Sequence, residues 1–200
     1  MTERAGPYAQ SEADANREDA ALEGTRLPHL AGPAAELRQV LAAHALRDCA
    51  HIVEIGGAGL PITGFLTHRP LSVTVIDPKI PDHEAQTLNG APCRVRHVRA
   101  KLQQAPPSPP EGRLGLVLLG LSLKPFGRGE AVDETLLGLI RRAEVMVIDH
   151  ALALDRALGQ IGPILAARGG APLIDLELRI NDAALAAAGY DRRRFLVFSR

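Results

Sequence analysis

The sequence has no tryptophan, and aromatic residues make up only 3% of its 200 residues. Leucine, alanine, valine and isoleucine must therefore form the core, and a hydrophobic content of 46% is sufficient for one. Cys49 and Cys93 are the only cysteines, which excludes a disulfide scaffold and a cysteine zinc site. Basic and acidic residues balance at 23 each, so the overall charge gives no reason to expect nucleic acid or an anionic membrane as a partner.

Long hydrophobic runs are also lacking. The most apolar segment, LGLVLLGLSL (114–123), suits a buried strand and is too short to cross a bilayer. The N-terminal residues show no basic start followed by an apolar stretch, as an export signal would have. These features predict a cytoplasmic protein with no membrane partner.

The remaining sequence divides into two parts. Residues 1–28 are polar and charged, and they predict a flexible tail or one that a partner orders. Residues 29–200 alternate between apolar segments of helical and of strand character, which predicts a single α/β domain. We expect a Rossmann-like, doubly wound and mostly parallel sheet. Two final strands in succession predict that the last strand is reversed.

Individual elements follow from periodicity and composition. A stripe of Leu37, Val40 and Leu41 predicts a helix that begins near Pro33, and a second stripe runs from Val132 to Ile140. Further helices are predicted over 60–68, 81–89 and 154–170, and strands over 51–55, 71–76, 93–99, 114–123, 143–149, 172–180 and 193–200.

Two groups of arginines stand out on the predicted strands. Arg94 and Arg96 share one face of the 93–99 strand, where we expect them to protect a sheet edge from pairing. Arg192, Arg193 and Arg194 are expected to form an exposed turn before the last strand.

A glycine-rich turn follows the first predicted strand. Gly56, Gly57 and Gly59 allow a sharp turn and close approach of a ligand, at the sheet edge where open parallel sheets bind ligands. Asp77 ends the second strand, where a carboxylate can accept hydrogen bonds from both hydroxyls of a ribose. The alternative is a tight corner without a ligand, in which Asp77 and Pro78 only form a turn.

This segment, VEIGGAGL, resembles the E/D-x-G-x-G-x-G motif of class I S-adenosylmethionine-dependent methyltransferases, in a degenerate form. Glu54 and Gly56 match the acid and the first glycine, while Ala58 and Leu60 replace the other two. The resemblance implies S-adenosylmethionine as cofactor, with Glu54 near its methionine amino group and Asp77 on its ribose. Residues 56–59, namely Gly56, Gly57, Ala58 and Gly59, would pass beneath the cofactor. The family's reversed last strand agrees with the predicted topology.

The chemistry that the resemblance implies is an in-line displacement, for which a protein supplies alignment and in some cases a base. Asp149 and His150 lie at the end of the fifth strand of the predicted parallel sheet, and His150 has a near-neutral reference pKa. Asp149 could instead cap the next segment, and His150 could be a half-buried polar contact. Only Asp149 matches the acid pair of the metal-dependent branch, so no catalytic metal is expected.

The sequence thus predicts an S-adenosylmethionine-dependent methyltransferase that methylates oxygen or nitrogen of a small molecule. A homodimer or a partner subunit would complete its pocket. The main alternative is an inactive Rossmann-like scaffold that binds a cofactor or a protein. A third possibility, an NAD(P)-linked enzyme, is disfavoured because Ile62 occupies the third glycine position of the NAD fingerprint.

Overall fold

The computed structural model describes residues 33–56, 60–119, 134–153, 161–187 and 189–200, so the predicted tail at 1–28 lies outside it. The helices are α1 (Pro33–Ala45), α2 (Glu134–Arg142), α3 (Ile161–Arg168) and α4 (Ala183–Ala187). The strands are β1 (His51–Ile55), β2 (Ser72–Ile76), β3 (His83–Leu88), β4 (Ala91–Val98), β5 (Leu114–Leu119), β6 (Val145–Ala151), β7 (Ile174–Arg179) and β8 (Arg192–Ser199). No helix among these residues is long and apolar enough to cross a membrane.

The strands form one sheet in the order β3-β4-β2-β1-β5-β6-β8-β7. The five central strands, β4, β2, β1, β5 and β6, pair in parallel. Strand β8 runs antiparallel to both β6 and β7, so the last strand is reversed relative to the five central strands. The prediction of a single, mostly parallel, Rossmann-like sheet with a reversed last strand is therefore confirmed.

Helices cover both faces of the sheet, as a doubly wound fold requires. Successive residues of a strand point to opposite faces, so Leu116 and Val117 of β5 belong to different cores. The first core lies under α2 and α3, and the second lies under α1. We refer to these faces as the α2 side and the α1 side.

One sheet edge differs from the prediction. Residues 81–89 do not form a helix, because 83–88 form strand β3 in an antiparallel hairpin with β4. The turn between these strands is Asn89-Gly90, with φ of 51° and 75°. Asn-Gly in this left-handed conformation is the preferred two-residue hairpin turn, and it outweighs the weak helical pattern before it.

The hairpin also overturns the role predicted for Arg94 and Arg96. Strand β4 lies inside the sheet between β2 and β3, so its arginines do not protect an edge. Arg96 instead pairs across the hairpin, with its Nε 3.2 Å from Oε1 of Glu84. Both arginines are exposed, on the face of β4 opposite to the buried Cys93 and Val95.

Helix α1 presents a different face to the sheet from the one predicted. Val40 of the predicted stripe is 56% exposed, whereas Arg38 and Gln39 are fully buried. The polar side chains face inward because two buried acids of the sheet, Glu54 and Asp149, lie beneath them.

Two other predicted helices, at 60–68 and 154–170, differ in outcome, and residues 154–160 of the second lie outside the described residues. The helix at 60–68 is reduced to one 3-10 turn, Ile62–Gly64, after an extended Pro61. Helix α3 ends before Gly169, whose φ is 67°, as the glycine pair predicts.

Candidate functional site

The order of the strands reverses between β1 and β5, because β1 pairs with β2 on one side and with β5 on the other. Open α/β sheets bind ligands outside the carboxyl ends of their strands at such a point. Gly56, which follows β1 here, has φ of 90° and therefore takes a conformation that favours glycine. The rest of the predicted turn, Gly57, Ala58 and Gly59, lies outside the described residues.

Asp77 lies beside Gly56 at this edge. The Gly56 amide donates to the Ile76 carbonyl (2.9 Å), and the Asp77 amide donates to the Val98 carbonyl (3.1 Å), so adjacent strands hold both residues. The Asp77 side chain is buried, and its Oδ1 accepts a hydrogen bond from the Lys79 amide (2.7 Å). The acid and the glycine that the sequence predicts to face one ligand are therefore neighbours.

Glu54 is fully buried near the carboxyl end of β1. Its Oε1 accepts a hydrogen bond from Nε2 of Gln39 (2.6 Å), and its Oε2 accepts one from the Ile62 amide (2.7 Å). Burial raises the pKa of Glu54 above its usual range, and the positive charge of Arg38 partly opposes this shift. Glu54 thus links β1 to α1 and to the 3-10 turn, whatever else it binds.

Asp149 lies on the α1 side of β6 as part of a buried ion cluster. Its Oδ1 accepts hydrogen bonds from Nε and Nη2 of Arg193 (2.9 and 2.6 Å). Nη1 of Arg38 lies 3.8 Å from its Oδ2, and all three side chains are buried. A single carboxylate therefore faces two arginines inside the protein.

His150 follows Asp149 on the same strand, so its side chain points to the α2 side of the sheet, where it is buried. The two predicted catalytic residues are consequently not brought together. Among the described residues, no three histidine, cysteine, aspartate or glutamate side chains are placed to hold a metal ion.

Arg38 has the least satisfied buried charge of this cluster. None of its three guanidinium nitrogens has a hydrogen-bond partner among the described residues, although its side chain is buried. Buried donors of this kind are rare, because leaving one unsatisfied costs about 1–3 kcal/mol. Arg38 thus lies between two buried acids, because its positive charge also opposes the rise in the pKa of Glu54.

Comparison with protein-family models gives no match for this sequence, and comparison with curated protein sequences gives none either. The chain is similar in structure to the 16S rRNA methylase RmtB, with 14% identity, a TM-score of 0.46, and coverage of 98% of this chain and 85% of the other. It is also similar to the O-methyltransferase TomG from Streptomyces achromogenes, solved in complex with S-adenosylmethionine. The identity there is 16% and the TM-score 0.49, over 100% of this chain and 93% of TomG. Both neighbours are methyltransferases. At these scores the likeness carries no argument about what this chain binds.

Sequence reasoning missed the residues that surround the two acids, namely Arg38, Gln39 and Arg193. Arg193 is not in an exposed turn but within β8, where it is buried. Its position was readable from the alternation of β8, because Arg193, Phe195 and Val197 point to one side of the sheet. No comparable signal was available for Arg38 and Gln39, since the apolar stripe of α1 indicated a different face.

Proposed function

We propose that this protein binds S-adenosylmethionine at the carboxyl ends of β1 and β2 and methylates a small molecule. The observation that carries the proposal is the position of the Asp77 carboxylate beside the Gly56 backbone at the reversal of strand order. A carboxylate there suits the two hydroxyls of a ribose, and a backbone without a side chain allows the sugar to approach.

The polar residues around this point suit the two charges at the methionine end of the cofactor. Arg38 would hold the carboxylate, because its buried guanidinium has donors without partners among the described residues. Glu54 would hold the ammonium, since each of its oxygens accepts one hydrogen bond from the described residues and has a further lone pair. When bound, S-adenosylmethionine supplies a methyl group on a positively charged sulfur that is a good leaving group.

The contribution of the chain itself is to bind, to orient and to exclude water. The ion cluster of Asp149, Arg193 and Arg38 fixes α1 over the sheet, which keeps Arg38 in position. His150 is the residue that we propose as base, because it lies near the carboxyl end of β6 and carries an imidazole, the commonest general base. We place Asp149 in support of the site, since its Oδ1 already accepts two hydrogen bonds.

Ligand binding tests the cofactor assignment. S-adenosylhomocysteine should raise the melting temperature, and titration calorimetry should give a Kd for the native chain. Asp77→Asn should weaken this binding about 10- to 150-fold, the equivalent of about 1.5–3 kcal/mol for hydrogen bonds to a charged group. The matched control is Asp48→Asn, an exposed acid before β1, which should leave the Kd unchanged. Stabilisation by NAD alone would contradict the assignment.

Transfer itself requires a second assay. Transfer of a labelled methyl group should occur to members of a panel of small hydroxyl and amine compounds and not to ribosomal RNA. His150→Ala should lower turnover with little change in the Kd for S-adenosylhomocysteine. Methylation of RNA alone would reject the acceptor class and leave the cofactor assignment standing.

A second candidate function is that of an inactive scaffold that binds a protein partner. It is favoured by one observation, which is that Glu54, Asp77 and Asp149 each accept hydrogen bonds from the chain itself. A folded protein that binds neither S-adenosylhomocysteine nor NAD would support this candidate.

A further inference from the structure

The outer edge of β7 is a row of backbone groups that pairs with no other strand in the described part of the chain. Ile180 donates its amide to Asp191 on the β8 side (2.8 Å). Because hydrogen-bonding direction alternates along an antiparallel strand, residues 174, 176 and 178 also face β8. The amides and carbonyls of Asp175, Glu177 and Arg179 therefore point away from the sheet.

The side chains of this strand do not protect it from pairing. Ile174, Leu176, Leu178 and Ile180 share the α1 side, and Ile174 and Leu176 are 39% and 36% exposed. Leu173, just before the strand, is 71% exposed. Natural edge strands usually carry free charges, bulges or prolines that prevent association.

The charges on the other side of β7 are already matched within the chain. Both carboxylate oxygens of Asp175 accept hydrogen bonds from Arg194, at 2.8 and 2.7 Å. Glu177 is paired with Arg192. The arginines therefore reduce, without cancelling, the charge that these acids present to an approaching strand.

We propose that β7 pairs antiparallel with β7 of a second copy of this chain, about a two-fold axis, so that one sheet continues through both copies. Only registers that place like faces together are possible, because a shift by one residue exchanges the two faces. Near full overlap of the strands, two registers satisfy this condition. They place Asp175 opposite either Glu177 or Arg179 of the second copy.

Charge decides between these two registers. The first sets Asp175 against Glu177 twice, which is repulsive. The second sets Asp175 against Arg179 twice, although Arg179 also bonds Asp191 of its own chain (2.9 Å), and it has only one like pair, Glu177 with itself. On the opposite face, the second register places Leu176 against Leu178 and Ile174 against Ile180, so that apolar side chains meet along the whole strand.

Sedimentation equilibrium of the native full chain over a concentration series tests the interface, and a dimer is the expected result. Leu176→Lys and Arg179→Asp should each raise the dissociation constant about tenfold or more, since each change occurs twice across the axis. Leu71→Lys, at another exposed apolar residue outside β7, is the matched control and should leave it unchanged. Circular dichroism checks that the variants are folded.

A mixing experiment tests the pairing of charges. Asp175→Lys and Arg179→Asp should each weaken self-association, while a mixture of the two variants should associate, because both contacts across the axis are then attractive. A monomeric native chain at all concentrations would overturn the proposal. A dimer that is insensitive to both β7 variants would overturn it equally.

A cross-link tests the register. Glu177 would face its own copy across the axis in a hydrogen-bonded pair, with about 5.5 Å between Cα atoms, a distance that a disulfide can span. Glu177→Cys should therefore give a covalent dimer on oxidation, and Leu176→Cys should not. The native cysteines, Cys49 and Cys93, are buried and serve as an internal control. Cross-linking at position 176 alone would reject this register.

Discussion

Replacing Asp149 with asparagine tests whether the buried ion cluster supports the fold. The change keeps the size of the side chain and removes the negative charge that faces Arg193 and Arg38. The buried guanidinium groups of Arg193 and Arg38 would then lose the carboxylate that lies between them. Arg193 is affected most directly, because its Nε and Nη2 both donate to Oδ1 of Asp149. Helix α1 should lose its attachment to β6 as a result.

The expected loss is about 4 kcal/mol, since removing one partner of a buried ion pair typically costs about 3–5 kcal/mol. With a urea m-value of about 2 kcal/mol/M, the unfolding midpoint should fall by about 2 M. The m-value should be unchanged, because the native fold is the same. This loss would be large against the total stability of a domain of this size, about 5–15 kcal/mol.

The assay is urea denaturation followed by circular dichroism at pH 7. The matched control is Glu84→Gln, which breaks an exposed cross-strand pair with Arg96 and should cost no more than about 1 kcal/mol. A loss below about 1 kcal/mol for Asp149→Asn would refute the view that this acid balances two buried arginines. It would return Asp149 to consideration as a catalytic group.

Four other substitutions test single residues. Gly115→Ala should destabilise the fold by about 1–3 kcal/mol in urea denaturation, because an added Cβ would lie 2.3 Å from Cδ2 of Leu46. Gly138→Ala, in α2 with nothing within 4 Å of the new Cβ, should instead stabilise it by about 0.5–1 kcal/mol, and equal effects would contradict the packing described. The raised pKa of Glu54 means that the folded chain keeps this proton to a higher pH than the unfolded chain, whose value is near 4.5. Its contribution to the free energy of unfolding should therefore be greatest below about pH 4.5 and decrease as the pH rises through the folded pKa. Glu54→Gln lacks this titration, so the stability of the native chain relative to the variant should fall as the pH rises, and parallel curves would be the contrary result. The lowered pKa of Asp175, caused by its hydrogen bonds to Arg194, gives the opposite sign. Its contribution is present above pH 3.8 and lost on acidification, so the difference between native and Asp175→Asn stability should diminish at low pH.

The central sheet was predictable because its strands are continuous apolar runs. Buried strands such as LGLVLL in β5 can only lie inside a sheet that is covered on both faces. The positions of Gly56 and Asp77 were also predictable, because each residue directly follows an apolar run that defines the end of a strand.

The edges and the first helix were less predictable, because contacts between distant residues decide them. The residues of β3 have weak preferences, and the Asn-Gly turn after them was the stronger signal. Arg38 and Gln39 are buried only because Glu54 and Asp149 lie below α1, and nothing in the helix itself reveals that pairing. Arg38, which we propose to bind the carboxylate of the cofactor, was therefore missed.

The order of the strands also bears on synthesis of the chain on the ribosome. Strand β1 can pair with β2 soon after both are made, but its other neighbour, β5, begins only at Leu114. At about 5–20 residues per second, β1 waits about 3–12 s with one side unpaired. During that interval the nascent protein exposes an apolar strand in the middle of its future core, and this is the stage at which a chaperone would have most to protect.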